Sequence, residues 1–180
     1  MPVDVERVVF GTSMEGLWRA LQPCTAAELA AFSRAGVKGE RFDAAYPLDV
    51  YSAILDACAQ SRYAGLDELE RFTRVGRLFI DGYANTLVGQ ALLGLLRVLG
   101  PRRALERTTR NIRTANNYTE ATMESVSPVH HMVRVNYVAR TGFYRGILET
   151  MCARAGAREV QVRVVEERGE SRVYEVKWAA

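Results

Sequence analysis

Two histidines and three cysteines are all that this 180-residue chain offers in the way of soft metal-ligating side chains. The histidines are adjacent, His130 and His131. Neighbouring side chains on a strand point to opposite faces, so the pair does not readily chelate one ion. Cys24, Cys58 and Cys152 are odd in number, far apart and in no Cys-x-x-Cys spacing. That excludes a disulfide framework and a zinc pattern and leaves each as a small buried hydrophobe. No GxGxxG, Walker A or GxSxG stretch occurs, so neither a phosphate cradle nor a serine-nucleophile elbow is signalled. A net charge of +3 is too slight to imply nucleic acid. The longest apolar run, 86–100, is interrupted by Gln90 and Arg97. It falls short of the roughly 20 residues that a membrane span needs. The first seven residues lack the apolar core of a secretory signal and carry early acids. A cytoplasmic location is the resulting expectation. No linker, repeat or low-complexity stretch divides the chain, which predicts one domain over 1–180.

What is present is an ordinary globular balance, 48% hydrophobic and 25% charged, enough to bury a core. Most of 14–116 reads as helix. Leu17, Trp18 and Leu21 share a face in 14–21, and Pro23 stops that helix after Gly11, Thr12 and Ser13 have broken a short strand or extended arm at 5–10. Thr25-Ala26-Ala27-Glu28 is a capping box opening a helix over 26–34. A polar loop, 37–46, with an exposed tip at Lys38 to Arg41, is closed by Pro47, which suits the first turn of a helix over 48–61. Further helices are predicted at 67–83, 87–99 and, after Gly100-Pro101, at 102–116.

The last third changes period. Strands are predicted at 118–126 and 129–138, turned by Ser127-Pro128, and at 159–167 and 172–178, turned by Arg168 to Ser171, with a helix at 141–155 between the pairs. His131, Val133, Val135 and Tyr137 form one face of the second strand, and Tyr174, Val176 and Trp178 one face of the last. The first strand is the weakest and reads as an edge. Helices followed by two hairpins predict an α+β fold: a helical bundle, about 14–116, packed on a small antiparallel sheet made of two β-hairpins separated by a helix, about 118–179.

Few residues volunteer for chemistry. Arg103, Arg107 and Arg110 lie on one helical stripe, able to meet phosphate or an acidic partner, but Glu106 interrupts them and no aromatics interleave. A solvated helix face explains the stripe equally well, and no nucleic-acid partner is expected. Asp67, Glu68 and Glu70 open a helix, where the dipole favours them. Gly76, Gly82, Gly89 and Gly94 interrupt helices, for close packing or to leave room for something bound. No pair of titratable groups is placed together by spacing, so the chain reads as not an enzyme, with no metal and no cofactor.

Three stretches carry a resemblance: Arg7-Val8-Val9-Phe10-Gly11-Thr12, Gly142-Phe143-Tyr144-Arg145-Gly146-Ile147-Leu148-Glu149, and Tyr174-Glu175-Val176-Lys177-Trp178. On them the chain resembles a domain family of unknown function found as many paralogues in myxobacteria. The order of parts is also similar to the ligand-binding fold of 4-vinyl-reductase-type domains, TRAPP-complex subunits and haem–nitric-oxide-binding domains. That likeness implies small-molecule sensing, apolar tunnels or dimeric scaffolding. The haem-binding members use a helical histidine and a Tyr-x-Ser-x-Arg motif. Here both histidines fall in a predicted strand and the motif is absent, which disfavours haem. Vinyl-reductase-type domains often carry cysteines near the last hairpin, where this chain has none. The expectation is a sensory or regulatory domain that binds a small apolar ligand through Phe79, Tyr83, Tyr137, Phe143 and Tyr144. The alternative is a homodimeric interaction module without such a ligand, or one that takes another protein partner.

Overall fold

The computed structural model describes residues 6–180; Val5, within the strand expected at 5–10, lies outside them, as do the side chains of Leu92 and Arg97. The chain runs β1 (Val8–Phe10), α1 (Gly11–Ala20), α2 (Ala26–Arg34), β2 (Ala45–Pro47), α3 (Leu48–Tyr63), α4 (Glu68–Tyr83), α5 (Leu87–Leu99), α6 (Pro101–Asn111), a 3-10 turn (Ile112–Thr114), β3 (Ala121–Ser127), β4 (His130–Val135), α7 (Thr141–Arg154), β5 (Arg158–Arg168) and β6 (Ser171–Ala179). The class is mixed α+β.

The helix starts follow side-chain capping. Thr25 Oγ1 accepts the Glu28 amide at 3.3 Å while the Glu28 carboxylate accepts the Thr25 amide at 2.7 Å, which satisfies two amides that the first turn leaves free. Asp67 is itself the cap of α4, accepting the Glu70 amide at 2.9 Å. Thr86 caps α5 through the Gly89 amide, also at 2.9 Å. Gly100, at φ +77°, makes the turn that lets Pro101 open α6.

Glu28 is the one buried acid tied to a cation across elements among the described residues' fully sealed side chains. It is 0% exposed. Arg62 on α3 donates to it through Nε at 2.6 Å and Nη2 at 2.9 Å. The same Nη2 donates to the Leu21 carbonyl at 2.6 Å and the Pro23 carbonyl at 3.1 Å. One guanidinium thus joins α2 and α3 to the end of α1.

Helices α4 and α7 approach until only glycine fits between them. A Cβ added to Gly146 would run into the Thr73 carbonyl oxygen and stand 2.8 Å from the Arg77 nitrogen. One added to Gly142 would strike the Leu69 carbonyl oxygen, and one on Gly76 the Phe143 carbonyl oxygen. Gly82 is pressed in the same way against Ala20 of α1, and Gly89 against the Tyr83 carbonyl, whereas Gly94 faces open space. Close packing therefore accounts for three of the four helix glycines singled out in the sequence.

Strands β3, β4, β6 and β5 form an antiparallel sheet in that order. The two hairpins join through β4 and β6, with Val133 opposite Tyr174 and His131 opposite Val176. Val133, Val135, Val162, Tyr174 and Val176 make a second core with Leu105 of α6 and with Leu148 and Cys152 of α7. The first core lies among α1 to α4, around Met14, Leu17, Phe32, Ile54 and Val75. Gly169, at φ +52°, lets β5 return as β6 in two residues.

Several boundaries differ from the sequence reading. Gly11, read with Thr12 and Ser13 as a break between the first strand and a helix from 14, instead begins α1, its amide donating to the Ala44 carbonyl at 2.9 Å. Residues 45–47, read as the end of a loop and a helix start, pair as β2 with β1 in a separate two-stranded sheet. The helix expected to 116 stops at Asn111 and tightens into the 3-10 turn.

Candidate functional site

Between α4, α6, α7 and the β3–β4 hairpin lies a cavity of about 130 Å³. Phe79 and Tyr83 reach it from α4, Phe143, Tyr144, Ile147 and Met151 from α7, Val133 and Val135 from β4, Tyr51 from α3, and Tyr118 from the segment before β3. The rings follow one another around it, Phe79 stacked on Tyr83, tilted to Phe143, and Phe143 edge-on to Tyr144. Phe79 lies 5.8 Å from Tyr83 and 5.4 Å from Phe143, centroid to centroid. Among the described residues no charged side chain lines the cavity.

The structure brings together Phe79, Tyr83, Phe143 and Tyr144 of the expected ligand-binding residues and leaves Tyr137 apart. Tyr137 packs edge-on to Tyr118 at 5.1 Å and lies under the Arg7 guanidinium, 4.0 Å from its ring centroid. It faces a wide polar recess with Arg140 and Glu170. It follows the end of β4 at Val135, so the alternation of the strand no longer fixes its side. Tyr51 and Tyr118 were missed. Tyr51 sits in an apolar helical stripe that looks like plain core, and Tyr118 was assigned to a strand that starts at Ala121.

Asparagines fix the mouth of the cavity. Asn116 Oδ1 accepts the amides of Tyr118 at 3.1 Å and Thr119 at 2.7 Å. The Thr119 hydroxyl then meets the Tyr144 hydroxyl at 3.1 Å. Asn117 turns the other way: its Oδ1 accepts the Val8 amide at 2.9 Å and its Nδ2 donates to the Glu6 carbonyl at 2.9 Å. These two residues thus do more than end a helix. They tie the cavity wall to β1.

The phenols stay neutral. Burial pushes the Tyr144 hydroxyl up to about 12 and those of Tyr51, Tyr83 and Tyr118 above their ordinary value. Burial likewise lifts the Cys58 and Cys152 thiols to about 12, far from thiolate chemistry at neutral pH. The cavity therefore offers shape, apolar surface and hydroxyl donors, without an acid–base pair.

The histidines separate as strand geometry requires. His131 is fully buried, its Nδ1 3.0 Å from the Ser125 hydroxyl and its ring stacked on Trp178 at 4.8 Å. Burial holds its pKa down. His130, on the other face, lies 3.1 Å from Glu175. Among the described residues no three ligating side chains converge for a metal. Arg103, Arg107 and Arg110 border a shallow surface recess with Glu106, and Glu106 pairs with Arg110.

Solved structures of similar shape are H-NOX proteins. One, a point mutant from K. algicida described as Fe(II) unliganded, shares 11% identity over 95% of this chain and 97% of its own, at a TM-score of 0.64. A Tt H-NOX variant shares 15% over 95% of each chain at 0.63. An oxygen-binding H-NOX domain related to soluble guanylate cyclases shares 16% over 94% of this chain and 95% of its own at 0.59. At such identity the likeness is one of fold. The haem in that fold finds no counterpart here. Neither histidine lines the cavity and no cation is there to meet propionates. The volume is that of a cavity that holds one benzene, about 150 Å³, far below a porphyrin. These residues do not fit a haem. No curated protein matches the sequence. A family model described as a protein of unknown function (DUF2378) matches residues 7–179.

Proposed function

The chain belongs to that DUF2378 family, and from this premise we propose that it is a non-enzymatic sensory or regulatory domain that binds a small apolar ligand in the cavity between its helices and its sheet. One observation carries the proposal: an uncharged, aromatic-walled cavity of about 130 Å³ where the two cores meet. The H-NOX-like fold supports a sensing role. So does the tie from the cavity wall through Asn117 to β1, whose Val9 also lines the cavity, which gives occupancy a way to stiffen that strand. A lining whose described side chains carry no charge and whose phenols stay neutral supports binding over catalysis.

Toluene and indole, each at a hundredfold excess over Kd, are expected to raise the melting temperature by about 8 °C, since such binding stabilises by about 2.7 kcal/mol. Ile147→Trp, which fills the cavity from α7, is expected to abolish the shift. A flat response to a whole panel of uncharged single-ring compounds overturns the reading.

A second reading rests on α5. Leu87 is 85% and Val98 84% exposed, and Val88 and Leu95 lie out in solvent with them. Leu87, Leu95 and Val98 recur at helical spacing, an apolar stripe of the kind that pairs two copies. A homodimer is the occupant proposed. Light scattering at high concentration is expected to give twice 20.1 kDa, and Leu87→Glu with Val98→Glu one chain mass. A monomer in the unaltered protein removes this reading without touching the cavity.

A further inference from the structure

The hydroxyls around the cavity are unequal. Ser13 donates to the Ala115 carbonyl at 3.2 Å, Thr108 to Ala104 at 2.9 Å, Thr109 to Glu106 at 2.9 Å and Thr114 to Asn111 at 2.8 Å. Tyr144 is engaged with Thr119. The hydroxyls of Tyr51, Tyr83 and Tyr118 have no such partner among the described residues, and Tyr51, 5% exposed, is the most buried of the three. A buried phenol normally finds an acceptor, because leaving the O–H unpaired forfeits its hydration without return. Of the three, Tyr51 and Tyr118 share one wall and make it a polar end open to an acceptor.

The two also stand together. Tyr51 and Tyr118 line both the main cavity and a smaller void of about 30 Å³ behind it, and form part of the partition between them. Tyr51 would feel a charge on Tyr118 or Tyr144, and Tyr118 one on Tyr144. Arg140, which borders the smaller void, is already committed to Asp56 at 2.9 and 2.7 Å.

We propose that Tyr51 and Tyr118 form a hydrogen-bond-donating subsite that selects, as the ligand of this cavity, an uncharged single-ring molecule carrying a carbonyl or ether acceptor. The proposal rests on the cavity reading above. The ring packs against Phe79 and Phe143, and the acceptor oxygen takes one or both phenol protons. An anion is rejected because no uncommitted cation meets it, and its desolvation goes uncompensated. A cation finds no carboxylate in the lining.

The test uses isosteric probes on the full chain, by calorimetry and melting temperature: acetophenone, ethylbenzene, benzoate and phenyltrimethylammonium. Acetophenone is expected to bind about tenfold more tightly than ethylbenzene, the difference that one good hydrogen bond makes. The preference is expected to vanish in the Tyr51→Phe, Tyr118→Phe double variant. Benzoate and phenyltrimethylammonium are expected to bind at least tenfold more weakly than acetophenone. Equal affinity for acetophenone and ethylbenzene overturns the donor subsite and leaves the cavity reading standing. So does a retained preference in the double variant. Preference for phenyltrimethylammonium overturns it in favour of an aromatic cage for cations. Failure of all four to bind overturns the cavity reading beneath it. The comparison of probes on the unaltered protein decides the matter even if the double variant does not fold.

Discussion

Gly146→Ala is expected to destabilise the fold by about 3 kcal/mol and to lower the melting temperature by about 10 °C. Helix propensity alone predicts the reverse, since alanine in place of a helical glycine gains about 1 kcal/mol. Contact decides the sign. The new methyl would meet the Thr73 carbonyl oxygen and the Arg77 nitrogen, both backbone atoms of α4. No side chain can swing aside to admit it. Either α7 moves away from α4, loosening Phe143 and Phe79 against each other, or the helix bends. Gly94→Ala is the matched control. It sits in a helix with nothing near its missing Cβ and is expected to gain up to about 1 kcal/mol. Thermal denaturation of the two variants side by side checks the contact. Equal stability would mean that α4 and α7 do not meet as described.

Arg62→Ala is the second large loss expected, about 3 kcal/mol at pH 7, because removing one partner of a buried pair strands the other charge. Glu28 is sealed, and without Arg62 its carboxylate keeps only the Thr25 contacts and the Ser61 hydroxyl at 3.2 Å. The Leu21 and Pro23 carbonyls also lose their donor. The pH dependence is diagnostic. Burial pushes the Glu28 carboxyl up, but Arg62 and Thr25 outweigh it and hold it below its ordinary value. In the unaltered protein this contributes stability that is present above the unfolded value, about 4.3, and is lost as pH falls through the lower folded value. In the variant, burial is no longer outweighed and Glu28 titrates high. Its deficit is therefore expected to narrow as pH drops from 7 to 5. Urea unfolding at both pH values measures it. Glu28→Gln combined with Arg62→Met is expected to recover part of the loss, since neither side chain is then charged.

These two contacts differ in how readily the sequence reveals them. The helical end of the Glu28 network was legible: Thr25 to Glu28 is a local pattern, complete within four residues, and its geometry is as the spacing implies. Arg62 was not, since it lies 34 positions away and nothing local marks it as a partner. The periodicities that placed α2 to α5 and the four strands of the larger sheet are likewise local. The order β3-β4-β6-β5 is not, because each hairpin closes on itself and the pairing of β4 with β6 is decided by the shared apolar face of Val133 and Tyr174. β2 escaped notice because Ala45-Tyr46-Pro47 is too short to alternate and ends in a residue that favours helix starts. In the cavity, Phe79, Tyr83, Phe143 and Tyr144 were reachable because they recur on helices at readable spacing. Tyr51 and Tyr118 were hidden by environments that imitate plain core and plain strand. Tyr137 was misplaced by extending the alternation of β4 two residues past its end.

The clasp of β1 has a consequence for the order of assembly. The Val8 amide closes on Asn117 across 109 positions, and Arg7 reaches Glu170 across 163. Loops of that length carry an entropic cost of closure that must be met before any contact rewards it. Strand β1 can pair with β2 as soon as residues 45–47 are available, but its tie to the cavity wall waits. During synthesis that tie closes only once residues 116–117 have appeared, and the one to Glu170 later still. Until then the helices can form their own core but the cavity lacks the wall that Asn116 positions. A ligand present at that stage would meet an unfinished pocket, so binding competence is acquired near the end of folding, when β1 and the cavity wall have come together.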